Sequence, residues 1–153
     1  MKTISAGLLI ITTAMIISYT SCTEESCNQD TEAFMKAGFY SSETEEKIII
    51  DSLDIYGLNV PDSSICSMSS LNEVNLPLNP SSSSCTFAIV NGGRADTIEI
   101  FYQSNLEFLS RACGYIYLHE LEEIYYTSND IKDVIILNKS VNPGDEENVQ
   151  IFF

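Results

Sequence analysis

From Phe34 to the last residue, apolar and polar residues mostly alternate with a period of two, the pattern of strands that bury one face. Residues 34–40 (FMKAGFY) form the first expected strand. Residues 47–56 carry Ile48, Ile49, Ile50, Leu53 and Ile55 and stop at Gly57. Val74, Leu76 and Leu78 alternate with Glu73, Asn75 and Pro77; because proline cannot donate to a ladder, this strand belongs at a sheet edge. Residues 85–90 (CTFAIV) and 96–102 (DTIEIFY) flank Asn91-Gly92-Gly93, and Asn-Gly is a hairpin signal because both central residues take positive φ readily. Residues 106–126 read as a strand pair, with a short helix over 118–126 as the alternative. Residues 131–137 and 149–153 complete the set. Seven or eight short strands without an internal repeat predict an all-β fold, an antiparallel two-layer β-sandwich. Residues 79–84 (NPSSSS) and 142–148 (NPGDEEN) are expected loops.

The first residues break this pattern. Lys2 precedes an apolar run from Ala6 to Ile17, and Ser18-Tyr19-Thr20-Ser21 lead to Cys22. A positive start, a short apolar run and small residues describe a secretory signal over 1–21. The run is shorter than the roughly 20 apolar residues that span a bilayer. Residues 22–33 are polar and read as a tether, leaving 34–153 as one β domain. The whole chain has 22 acidic residues against 7 basic and a net charge of −15, and the leader removes Lys2 but no acid. Such a charge repels phosphate backbones, so nucleic acid is not an expected partner.

Five cysteines, Cys22, Cys27, Cys66, Cys85 and Cys113, make an odd count in a chain marked for export. Cys22 accounts for it, because a lipoprotein signal peptidase cuts before a cysteine preceded by small residues, here Thr20 and Ser21. Tyr19 stands where an aliphatic residue is usual. Acylation of Cys22 would anchor the chain to a membrane. Four cysteines then remain for an oxidising compartment, with three possible pairings. There is no C-x-x-C pair, so neither a zinc site nor another metal is expected.

GFY at 38–40, the strand around Asp51-Ser52-Leu53, LPLN at 76–79 and DTIEIFY at 96–102 occur in a telling order. FLSRACG at 108–114, IKDVIILNKSV at 131–141 and NVQIFF at the terminus follow them. In that order, from about Cys27 to Phe153, the chain resembles the small Bacteroidota lipoproteins of domain-of-unknown-function family 6452. The resemblance implies an exported domain and carries over no catalytic residue. Within it Cys27 and Cys113 look like family cysteines and Cys66 and Cys85 like a local addition. It therefore implies the pairings Cys27–Cys113 and Cys66–Cys85. Glu24 and Glu25 resemble the acidic run that sends some such lipoproteins to the cell surface.

Candidate chemistry is sparse. His119 is the only histidine, and the residue four positions on is Glu123, so a helical zinc-protease pair is ruled out. No G-x-S-x-G elbow accompanies the many serines. Carboxylate pairs such as Glu122 and Glu123 follow from composition, and Asp145, Glu146 and Glu147 lack the spacing of an EF-hand loop. On a strand, Tyr115, Tyr117 and His119 share one face, a possible binding surface for sugar or protein. The expectation is a non-catalytic accessory or interaction module anchored to the outer membrane, without cofactor. Its partner would be an outer-membrane protein. The alternative is a glycan- or small-ligand-binding surface lipoprotein.

Overall fold

The computed structural model describes residues 26–58 and 64–153, so the signal expected over 1–21 and Cys22 lie outside the described residues. Ten strands occur among the described residues, and no helix. They are β1 (Phe34–Tyr40), β2 (Ile50–Gly57), β3 (Ser64–Leu71), β4 (Glu73–Pro77) and β5 (Ser84–Asn91), followed by β6 (Arg94–Ser110), β7 (Gly114–Tyr126), β8 (Asp133–Ile136), β9 (Ser140–Val141) and β10 (Val149–Phe152). One sheet has the order β4-β1-β10-β8, the other β3-β2-β5-β6-β7-β9. All neighbours are antiparallel except β1 and β10, which run parallel with Phe39 opposite Ile151. The all-β sandwich expected from the alternation is therefore present, with more strands than the sequence pattern marks and one parallel pair.

The core lies between the sheets. Met35, Ala37 and Phe39 of β1, Leu76 of β4 and Ile151 of β10 meet Leu53 and Ile55 of β2, Ile89 of β5, and Ile98, Ile100 and Tyr102 of β6. Each set is spaced by two, which puts every member on the inner side of its strand. Pro77 sits at the end of the edge strand β4, where its missing N–H costs no central ladder bond. The β5–β6 turn differs by one residue from the sequence signal. Asn91 pairs with Arg94, so the two central residues are Gly92 and Gly93, at φ 54° and 84°. Two left-handed residues match the twist of the flanking strands, and glycine adopts that conformation without steric cost.

Strand β3 has no counterpart in the sequence reading. Its residues, SICSMSSL, contain none that is buried, because β3 is an edge strand against a bulged β2. Side chains help to hold it: Asp54 accepts the amide of Met68 at 2.7 Å, and Asp51 accepts the Ser70 hydroxyl at 2.6 Å.

The chain changes sheets after β7, and one buried carboxylate organises the crossing. Asp96, 2% exposed, accepts the Thr127 hydroxyl and the Asn129 amide on one oxygen, and the Asp130 and Ile131 amides on the other, at 2.6–3.0 Å. The return is organised by Asn148. Its side-chain oxygen accepts the Lys36 amide, and its NH₂ donates to the carbonyls of Asn138 and Ser140.

Burial pushes the Asp96 carboxyl up, but the Thr127 hydroxyl and the three amides outweigh it and hold the group below its ordinary value. A lowered folded-state pKa contributes stability that is present above the unfolded value of about 3.9. That stability disappears as pH falls through the folded value. Asp96→Asn, which turns an NH₂ group towards these donors, is expected to cost roughly 2–3 kcal/mol in urea unfolding at neutral pH. The variant should also flatten the acid limb of the stability profile; an unchanged limb would remove Asp96 from this role.

Candidate functional site

Beyond Tyr102, β6 loses β5 as a neighbour, since that ladder ends at Ser84–Phe101. Among the described residues, the only ladder partner of β6 from Gln103 to Ser110 is β7, and β9 pairs with the far edge of β7 only at His119 and Glu120. The outer half of the β6–β7 hairpin is thus a two-stranded ribbon. The register pairs Ser104 with His119, Leu106 with Tyr117, and Phe108 with Tyr115. A bulge between Phe101 and Tyr102 keeps these pairs on the side that faces the core further back.

The three residues of the expected binding surface do share this face, but they divide into two environments. Tyr115 and Tyr117 are 63% and 44% exposed, and Leu106 and Phe108 opposite them are 56% and 53% exposed. The Phe108 and Tyr115 rings meet edge-on at 5.2 Å. His119 lies deeper and is only 4% exposed. Its Nδ1 is 2.9 Å from the Ser104 hydroxyl, and its ring stands edge-on to Tyr102 at 5.4 Å. Burial lowers its pKa, which favours the neutral ring. His119 therefore belongs to the interior, because the ribbon enters the sandwich between positions 117 and 119. Leu106 and Phe108 escaped the sequence reading as site residues. Their i, i+2 spacing, folded back across the Arg111-Ala112-Cys113 loop onto Tyr115 and Tyr117, is the signal that could have found them.

Ser104 and His119 are the nearest approach to a nucleophile and base. No carboxylate bonds the other ring nitrogen among the described residues, and the ring lacks the orienting partner of a triad. Elsewhere the carboxylates of the 142–148 loop are separately engaged. Asp145 meets Lys36 at 3.3 Å, Glu146 accepts Asn138 at 2.7 Å, and Glu147 accepts Tyr40 at 2.8 Å and Lys47 at 3.0 Å. Among the described residues no three potential ligands cluster for a metal ion.

The ribbon ends in a three-residue loop closed by Gly114 at φ 75° and by the Cys113 amide donating to the Ser110 hydroxyl at 3.0 Å. Here Cys113 is bonded to Cys27, with the two Cα atoms 4.8 Å apart. Cys66 and Cys85 are free thiols, against the expected pairing. The reason is topological. Cys66 on β3 and Ile89 on β5 flank the same residue of β2, Ile55, and Cys85 lies four residues further along β5. Two strand spacings and four residues place the thiol-bearing positions roughly 16 Å apart, far beyond the Cα separation of about 7 Å that a disulfide tolerates. Burial raises the Cys66 thiol, whose Sγ lies 3.7 Å from the Leu53 carbonyl. Cys85 lies against the buried hydroxyl of Tyr102, at 2.9 Å. That hydroxyl donates to the Asn79 carbonyl and accepts the Asn79 amide, fixing the loop before β5.

The domain is thus a two-sheet β-sandwich whose longest hairpin carries a bare apolar face and a disulfide at its tip. The chain belongs to the family of unknown function DUF6452, whose model matches residues 52–153. That range takes in Cys66, Cys85 and Cys113 and begins after β1 and Cys27. No curated protein and no solved structure matches the chain.

Two measurements check this site. Alkylation of the denatured, unreduced protein should label Cys66 and Cys85 but neither Cys27 nor Cys113, and reduction should add those two; a Cys66–Cys85 peptide would contradict the topology. By NMR the His119 ring should titrate below the ordinary histidine value of about 6.5; a midpoint at or above it would place the ring in water or beside a negative charge.

Proposed function

We propose that this chain is an exported lipoprotein, held to the outer membrane by acylated Cys22, whose β-sandwich serves as a non-catalytic accessory or interaction module of the cell envelope. The observation that carries this reading is the agreement of the cysteine inventory with the export signal. Cys22 follows small residues at the end of a short apolar run, and the nearby Cys27 is oxidised in a disulfide with Cys113. Disulfides persist in oxidising compartments such as a periplasm or a cell surface. A single acylated residue carrying several chains gives lasting attachment, since each buried CH₂ contributes about 0.8 kcal/mol. Burial of His119 and the separate engagement of the loop carboxylates support a role in contact rather than in chemistry. The charge of −15 suits a basic or neutral partner and disfavours nucleic acid.

Cys22→Ala is expected to move the protein from the membrane fraction to the soluble fraction of the envelope. Continued membrane retention of that variant, or a wild-type mass without acyl groups, would overturn the anchor.

A further inference from the structure

We propose that the tip of the β6–β7 hairpin seats on the lipid bilayer that holds the anchor, with Leu106, Phe108, Tyr115 and Tyr117 as the contact surface. The inference rests on the lipoprotein reading above and adds the orientation of the domain.

Three observations lead to it. The disulfide ties the hairpin tip to Cys27, and Cys27 is five residues from Cys22. Five residues span at most about 18 Å even when fully extended. The tip is thus confined near the point where acyl chains would enter the membrane. A tether joined only at β1 would leave the domain free to turn away.

The second observation is the chemistry of the bare face. Two tyrosines, a phenylalanine and a leucine lie in opposed pairs, all exposed. Aromatic rings with one polar end favour the boundary between headgroups and hydrocarbon. No acidic residue shares this face: the register puts Glu107 and Glu120 on the reverse side, where Ile116 is buried. Arg111, one of only seven basic residues, is exposed at the turn and makes no ion pair among the described residues. An exposed cation at the turn and no carboxylate on the apolar side leave this face without a negative charge of its own to repel phosphate headgroups.

The third observation is size. Four half-exposed side chains offer roughly 400 Å², about half of the 800 Å² or so per partner found in stable protein interfaces. A second copy of the chain would gain too little there. An anchored domain needs only a supplementary contact, because the acyl group already supplies the attachment.

The chain has no tryptophan, so a single introduced indole reports its surroundings without background. The full lipidated protein is reconstituted in phosphatidylcholine vesicles containing brominated lipid, in three variants. Phe108→Trp and Tyr117→Trp report the tip. Tyr125→Trp, on the opposite face and at the other end of β7, is the control. Blue-shifted, bromine-quenched emission is expected at 108 and 117 and water-like, unquenched emission at 125. Most of the quenching should be lost when Cys27→Ser and Cys113→Ser are added.

If the protein floats with the vesicles but both tip indoles stay water-like, the orientation is wrong and the anchor stands. If it carries no lipid and does not float, the anchor and this proposal fall together. A blue shift that follows protein concentration without lipid would assign the face to self-association. One that follows an added soluble glycan would assign it to ligand binding. Either of these last two would overturn the membrane contact.

Discussion

When a strand leaves one sheet for another, its backbone abandons a ladder before the next one begins. The amides and carbonyls at that corner still require partners. This chain passes between the sheets three times at its C-terminal end, after β7, β8 and β9, and two buried polar side chains hold these corners. Asp96 receives one hydroxyl and three amides from the segment between β7 and β8. Asn148 joins the segment between β8 and β9 to β1, and its own main chain exchanges bonds with Lys36 and Leu137. A carboxylate is the right group at the first corner, because only acceptors are needed. An amide is the right group at the second, because both an acceptor and donors are needed. Without these two residues the hydrophobic pattern would still specify strands, but not where the chain passes between layers.

Core-facing strands were therefore the part most readable from sequence. Residues 34–40, 85–90, 96–102 and 149–153 alternate because one side of each faces the sandwich interior, and the structure puts strands there. The hairpin over 106–126 also appears, as strands rather than a helix. Strand β3 was illegible because an edge strand with no buried residue leaves no alternation to detect. The central residues of the β5–β6 turn were misplaced by one, since Asn91-Gly92 and Gly92-Gly93 are equally good turn signals and register alone decides between them. The Cys66–Cys85 pairing failed for a similar reason. Two cysteines that look like a joint addition need not be neighbours in space, and β2 stands between the strands that carry them. His119 has the same period as Tyr115 and Tyr117, and a period cannot say where along a strand the core begins.

The acidity of the chain is managed locally. Lys47 lies 2.6 Å from Glu73 and 3.0 Å from Glu147, so one cation serves two carboxylates from different parts of the chain. The hydrogen bond to Lys47 holds Glu73 below its usual range, and the bond to Glu73 is the chief reason Lys47 is raised. Glu147 reaches this position by lying across Gly38 of β1, where a Cβ would collide with its carboxylate. A glycine in a buried strand is ordinarily a weakness. Here it opens the space through which the 142–148 loop is fastened to β1. These pairs sit near solvent and each contributes little on its own; their effect is to fix where the loop lies.

The long hairpin poses the opposite problem. An isolated two-stranded ribbon is marginal in water, yet β6 and β7 extend well beyond the last β5 pair and keep four apolar side chains bare. Bonding the loop at Cys113 to Cys27 removes freedom from the unfolded chain and keeps the far end from fraying. The cross-link thereby sustains an exposed apolar face that burial does not hold in place. It also fixes that face beside the start of the domain. Stability and placement thus come from the same bond, and the ribbon can stay bare on one side because its end is held covalently.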